Sequence, residues 1–157
     1  MSDLLVLDEA AVLPHLVADS WEDAIGQLGA RMCEVGFTDA AYTQRVIERE
    51  REFPTALQFA SAAIALPHGE AEHVWVSSMA IGRCERSVAF HAMDDASKML
   101  NVQLIVMLAV NDPEAHLGAL AKLFEVLAEP SFVDGVLAMD TAGEIAAAFK
   151  DALGLGR

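Results

Sequence analysis

The stretch from Asn101 to Val110 constrains this chain more than any other. It reads Asn-Val-Gln-Leu-Ile-Val-Met-Leu-Ala-Val, and after Asn101 only Gln103 is polar. A strand with one face in water alternates apolar and polar positions, whereas a nearly continuous apolar run marks a strand covered on both faces. The run is too short to cross a membrane, which takes roughly 18 apolar residues. It is therefore read as the central strand of a sheet, and the rest of the chain must supply neighbours and a helical cover on each side.

Those elements are legible on both sides of the run. Ser20 begins a capping box with Asp23, ahead of an apolar stripe of Trp21, Ile25, Leu28, Met32 and Val35 that stops near Gly36. Thr38 is read as the cap of a second helix through Tyr42 and Val46, whose charged end meets Pro54. Beyond the run, Asp112-Pro113 opens a third helix with Leu117, Leu120, Phe124 and Leu127 as its buried face. Ser131 with Asp134, and Thr141 with Glu144, form two further capping boxes. Strands are expected at Leu4–Leu7, Ala62–Leu66 and Val74–Ile81, with Ser87–Phe90 a short strand or extended turn. The order of strand, two helices, three strands and three helices predicts a three-layer α/β/α sandwich with a mixed sheet. No repeat or Pro/Gly/Ser linker divides residues 1–157, so one domain is expected.

Composition narrows the function. A hydrophobic content of 54% is too high for disorder. Ten basic against twenty-four acidic residues give a formal charge of −14. Nucleic acids and anionic membranes demand the opposite sign, while a partner with a basic face would be attracted. The bland reading of such acidity is solubility alone. Cys33 and Cys84 form neither a CxxC nor a disulfide framework, and the N-terminus lacks the basic stretch of a signal peptide. A reducing cytoplasm, with no direct membrane insertion, is the expected location.

Chemistry is then sought among five histidines. His68 follows the run Ile64-Ala65-Leu66 and Pro67 and precedes Gly69, at the end of a strand where α/β folds tend to place their sites. Proline fixes its own φ, and glycine removes bulk beside the imidazole. Such a setting suits a neutral histidine acting as a nucleophile, although an ordinary turn would look alike. His116 falls at the fourth position of the third helix, where the helix dipole favours a neutral ring and welcomes an anion; the competing reading is an edge residue of the apolar stripe. Arg45, Arg49 and Arg51 offer the forked donors that a phosphoryl group requires, but a solvated helix face explains them equally and composition does not separate them. His15, His73 and His91 keep a structural reading. His68 and His73 are five apart, a poor spacing for metal on one helix face or strand, and neither HExxH, a P-loop, GxGxxG nor GxSxG occurs. No metal or other cofactor is expected.

Three segments fall together at this point: Arg49-Glu50-Arg51-Glu52-Phe53-Pro54-Thr55, Ile64-Ala65-Leu66-Pro67-His68-Gly69 and Glu114-Ala115-His116-Leu117. In this order and spacing they resemble the IIA component of the bacterial phosphoenolpyruvate-dependent sugar phosphotransferase system, in its fructose/mannitol superfamily. Phe53-Pro54-Thr55, Ala65-Leu66-Pro67-His68, Glu70 and His73 look most like the galactitol-type branch, and the long interval from Pro54 to His68 departs from the mannitol type. The resemblance runs from about Trp21 to Leu153.

It implies a phosphoryl carrier. Phosphorylated HPr would donate to His68, and a IIB component would accept on a cysteine, for sugar uptake through a IIC permease. By this resemblance Arg49 would stabilise the phosphoryl group and His116 would assist and orient it. With no IIB or IIC segment attached, the partners would be separate chains. The alternative is a regulatory IIA paralogue whose phosphohistidine switches partner binding instead of feeding transport.

Overall fold

All of the run from Asn101 to Val110 except its last residue lies in the middle strand of a five-stranded sheet. The computed structural model describes residues 5–155. The chain runs β1 (Val12–Leu16), α1 (Trp21–Glu34), α2 (Ala41–Glu52), β2 (Leu57–Gln58), β3 (Ala63–Ala65) and β4 (Ser78–His91). It continues with β5 (Met99–Ala109), α3 (Pro113–Leu127), α4 (Pro130–Leu137) and α5 (Ala142–Leu153). The sheet order is β1-β4-β5-β3-β2. Strands β1 and β4 are parallel, as are β3 and β5, while β4 with β5 and β2 with β3 are antiparallel. The sheet is mixed, as expected.

Successive residues of β5 enter different cores because a strand points its side chains alternately to either face. Leu104, Val106 and Leu108 pack with Leu123, Val136 and Phe149 under α3, α4 and α5. Ile105 and Met107 pack with Ile25, Leu28 and Tyr42 under α1 and α2. All five of these β5 side chains are fully buried. The three layers follow from this one strand having two covered faces.

Several local expectations are corrected. The first strand is Val12–Leu16, not Leu4–Leu7; Leu4 lies outside the described residues, and Val6 makes only an isolated bridge to Ser78. β1 is an edge strand, so Pro14 can sit in it without costing a ladder hydrogen bond. Four strands, not three, lie between α2 and α3, because Leu57–Gln58 pairs with Ile64 and Ala63. The stretches Val74–Ile81 and Ser87–Phe90 contribute to one long strand, β4, whose register slips between Arg83 and Val88.

Thr38 does not cap α2. It is buried in a bridge to Val74, its hydroxyl has no hydrogen-bond partner among the described residues, and the Asp39 carboxylate accepts from the Ala41 N–H instead. Ser131 is likewise no cap, since α4 starts at Pro130 after Glu129. Leu117 is 70% exposed. Ala119, Leu123 and Leu127 set the buried face of α3, and Leu117 lies about 200° around the helix from Ala119. Ser20, Asp112 and Thr141 cap their helices as expected, and Gly36 turns the chain after α1 with φ +84°.

Candidate active site

The end of β3 and the end of β5 lie side by side, and the histidine is placed there by main-chain pairing. Pro67 carries no N–H but its carbonyl accepts from the Leu108 N–H at 2.9 Å, and His68 bridges to Leu108. β5 then gives way to α3, whose Asp112 cap and Pro113 start bring His116 round to face the same place. The rings of His68 and His116 lie 4.8 Å apart at 62°, edge to face. Arg49 arrives from α2. These three residues, with Gly69, Val110 and Leu117, line an open cleft of about 510 Å³. The sequence-derived trio is thus brought together.

The tautomer of His68 follows from its partner. Nδ1 lies 2.9 Å from the Leu66 carbonyl, which can only accept, so Nδ1 carries the hydrogen. Nε2 then holds a lone pair. Burial pushes the His68 pKa below its ordinary value, and the fields of His116 and Arg49 push it further; the bond to Leu66 opposes them. His116 is lowered too, by burial and then by Arg49. Both rings are therefore held toward the neutral form, the one in which a histidine nitrogen can attack an electrophile.

The structure also separates the three arginines. Arg49 faces the cleft, stacks over the Phe53 ring at 5.3 Å and lies 3.7 Å from a Glu70 oxygen. Arg51 turns away to Glu22 and the Trp21 ring. Arg45 lines a neighbouring hollow shared with Arg49, Glu48, Glu52 and Glu70.

Tyr42, Glu50 and Thr55 also hold this geometry, a role not expected from the sequence. The Tyr42 hydroxyl donates to the Leu108 carbonyl at 2.6 Å and accepts from the Gly69 N–H at 2.9 Å, tying the residue after His68 to β5. Burial raises its pKa to about 12, so it stays a phenol. Gly69 is needed for this fit, because a Cβ there would lie 3.1 Å from the Tyr42 ring and 3.2 Å from Val46. On the other side of the histidine, Thr55 Oγ accepts from the Leu66 N–H at 3.0 Å and donates to the Glu50 carboxylate at 2.9 Å. A signal was present: Tyr42, Val46 and Glu50 recur every four residues, and all three are buried on one face of α2.

The remaining histidines have local partners. His15 bonds Glu85 and the Asp140 carbonyl, His73 bonds Asp39 at 2.7 Å, and His91 bonds the Ala96 carbonyl. Among the described residues, no group of three His, Cys, Asp or Glu side chains is arranged to hold a metal ion. Nor is any helix there long and apolar enough to cross a membrane.

Comparison with known proteins identifies the family. The family described as "Phosphoenolpyruvate-dependent sugar phosphotransferase system, EIIA 2" matches residues 5–152. The chain belongs to this family. The galactitol-specific EIIA component of Escherichia coli K12 is 32% identical to this EIIA chain over 138 residues, 88% of the chain and 83% of the relative. The galactitol-type resemblance is therefore upheld. Solved structures share the fold: IIA-Ntr, a nitrogen regulatory protein of Neisseria meningitidis, superposes with a TM-score of 0.75 at 23% identity, covering 91% of this chain and 95% of that one. The enzyme IIA for mannitol from Escherichia coli, solved in complex with its phosphorylated IIB, gives 0.74 at 18% identity, covering 95% and 99%. As an EIIA protein, the chain is a component of a phosphoenolpyruvate-dependent sugar phosphotransferase system.

Proposed function

We propose that this EIIA chain takes a phosphoryl group from phosphorylated HPr onto Nε2 of His68 and passes it to a cysteine of a separate IIB protein. A IIC permease would be served indirectly, and galactitol or a related sugar alcohol is the transported substrate we infer from the relatives. The observation that carries this reading is the Nδ1–Leu66 hydrogen bond, which leaves the Nε2 lone pair free in a cleft shared with Arg49 and His116.

The chemistry is an exchange of bonds. The donor's P–N bond breaks as a new P–N bond forms at Nε2, and no proton need leave Nε2 because the hydrogen sits on Nδ1. The ring gains positive character, which the Leu66 carbonyl stabilises through the Nδ1–H. Arg49 supplies charge-assisted donors for the phosphoryl oxygens, and the uncharged His116 ring offers one more. Transfer of this kind depends on alignment between two protein surfaces more than on a deep pocket. The exposed Leu117 at the rim suits such docking.

Purified protein incubated with enzyme I, HPr and labelled phosphoenolpyruvate should acquire label, and His68→Ala should acquire none. Label that persists in His68→Ala removes the site assignment. Arg49→Ala and His116→Ala should fold normally and accept the group at least about tenfold more slowly; unchanged rates refute their roles.

A further inference from the structure

Glu50 is an acid in a place where acids are rarely found. It is 3% exposed and lies on the buried face of α2. Burying a carboxylate is costly unless hydrogen bonds offset the lost hydration. Its partners are specific: the Thr55 N–H at 2.8 Å and the Thr55 hydroxyl at 2.9 Å. Among the described residues, no Lys or Arg enters this network. An ion pair therefore does not explain why the carboxylate is there.

The hydrogen bonds have a direction. Thr55 Oγ has one hydrogen, and it goes to Glu50. Its lone pairs are then left to accept, and they receive the Leu66 N–H at 3.0 Å. Leu66 in turn accepts the His68 Nδ1–H at 2.9 Å. A Thr55 hydroxyl free to rotate could turn its hydrogen toward Leu66 and lose that bond. The carboxylate prevents this by claiming the hydrogen. Leu66 is thus fixed at its N–H, and its carbonyl, on the far side of the same residue, is fixed toward the imidazole. Pro67 stiffens the link by holding its own φ.

We propose that Glu50 and Thr55 are positioning residues that set the tautomer of His68 through Leu66, keeping Nε2 unprotonated and aimed into the cleft. This rests on the reading of His68 as the phosphoryl acceptor. The same bond that orients the ring before transfer stabilises the positive charge on it afterwards, so a loosened Leu66 should slow acceptance of the phosphoryl group. Neither side chain touches the phosphoryl group, and donor affinity should be untouched.

Long-range proton–nitrogen NMR couplings report the His68 tautomer without any partner, and phosphoryl transfer from HPr reports the rate. Both are measured at about pH 8, above the value of about 7 to which burial pushes the Glu50 carboxyl. Wild type should show the Nδ1–H form. Thr55→Val should give a mixture of tautomers and a kcat about tenfold lower with KM for phospho-HPr unchanged, and Thr55→Ser should restore both. Glu50→Gln, which keeps the shape and removes the charge, should move both readouts in the same direction as Thr55→Val. If Thr55→Val fails to fold, Glu50→Gln alone decides. A folded variant of either kind with the wild-type tautomer and kcat overturns the proposal, as does a Thr55→Ser protein that stays mixed and slow. Failure of wild type itself to accept a phosphoryl group would instead defeat the acceptor reading, and the tautomer measurement would still stand.

Discussion

At the scale of single residues, Glu50 shows how a site can cost stability. Burial raises its pKa from 4.5 to about 7, against the Thr55 hydrogen bonds and the field of His91 that lower it. Between those two values the folded chain holds a proton that the unfolded chain has released. Stability from this group therefore falls as pH rises from about 4.5 to 7, and the penalty is complete above that. His68 and His116 act in the opposite sense, since their lowered pKa values make the folded state shed protons and lose stability as pH falls below 6.5. Comparing wild type with Glu50→Gln cancels the histidines. Denaturant midpoints should show the Gln variant gaining on wild type by up to about 3 kcal/mol between pH 4.5 and 8; a difference that does not vary with pH would contradict the buried charge. The variant expected to transfer more slowly is thus expected to become relatively more stable, a common exchange at functional positions. Legibility at this scale was uneven. His68 could be singled out because a strand end, Pro67 and Gly69 surround it. Arg49 could not be separated from Arg45 and Arg51, because what distinguishes it is the direction it faces, and the family resemblance supplied the choice. Glu50 was hidden in a charged run whose other acids are at least partly exposed.

At the scale of elements, α2 carries much of the site. Tyr42, Arg49 and Glu50 all project from it, so its seat on the rest of the molecule sets three contacts at once. That seat is made partly by α1, where Gly29 is buried against Thr43. A Cβ added at Gly29 would overlap the Thr43 hydroxyl and methyl, whereas one added at Gly26 would meet nothing within 4 Å. The two substitutions should have opposite signs. Gly29→Ala should destabilise by about 1–3 kcal/mol through overpacking, and Gly26→Ala should stabilise by up to about 1 kcal/mol through helix propensity. Urea unfolding checks both, and a Gly29→Ala protein as stable as Gly26→Ala would show that α1 and α2 are not closely seated. Elements with strong local signals were legible: the capped helices α1, α3 and α5 begin where Ser20, Asp112 and Thr141 place them. Those missed have weak local signals for physical reasons. β1 contains Pro14 and His15 and is tolerated only as an edge, and β2 is too short to show any periodicity. Leu117 reads as core on apolar character, but its angle on α3 sends it to the rim of the cleft.

At the scale of the whole molecule, one apolar run was enough to imply a sheet covered on both faces, because burial on two sides is a global demand written into a local sequence. Charge is global in a different way. A net −14 creates a field that reaches beyond any one contact, and the hollow beside the cleft includes Glu48, Glu52 and Glu70. Such a field does little for the fold and much for the rate at which a basic partner arrives. The distinction is measurable through ionic strength, since the Debye length shrinks from about 30 Å at 0.01 M to about 8 Å at 0.15 M. Over that range kcat/KM for phosphoryl acceptance from phospho-HPr should fall by roughly tenfold, while kcat at saturating donor should hold nearly constant. Screening acts on encounter between separated surfaces; in the docked complex of the proposed mechanism, Arg49 and the phosphoryl group would be too close for mobile ions to intervene. If kcat/KM is indifferent to salt, the acidity serves solubility and not docking. If kcat falls instead, the acidic residues act within the complex, and the contact between Arg49 and Glu70 becomes the first place to look.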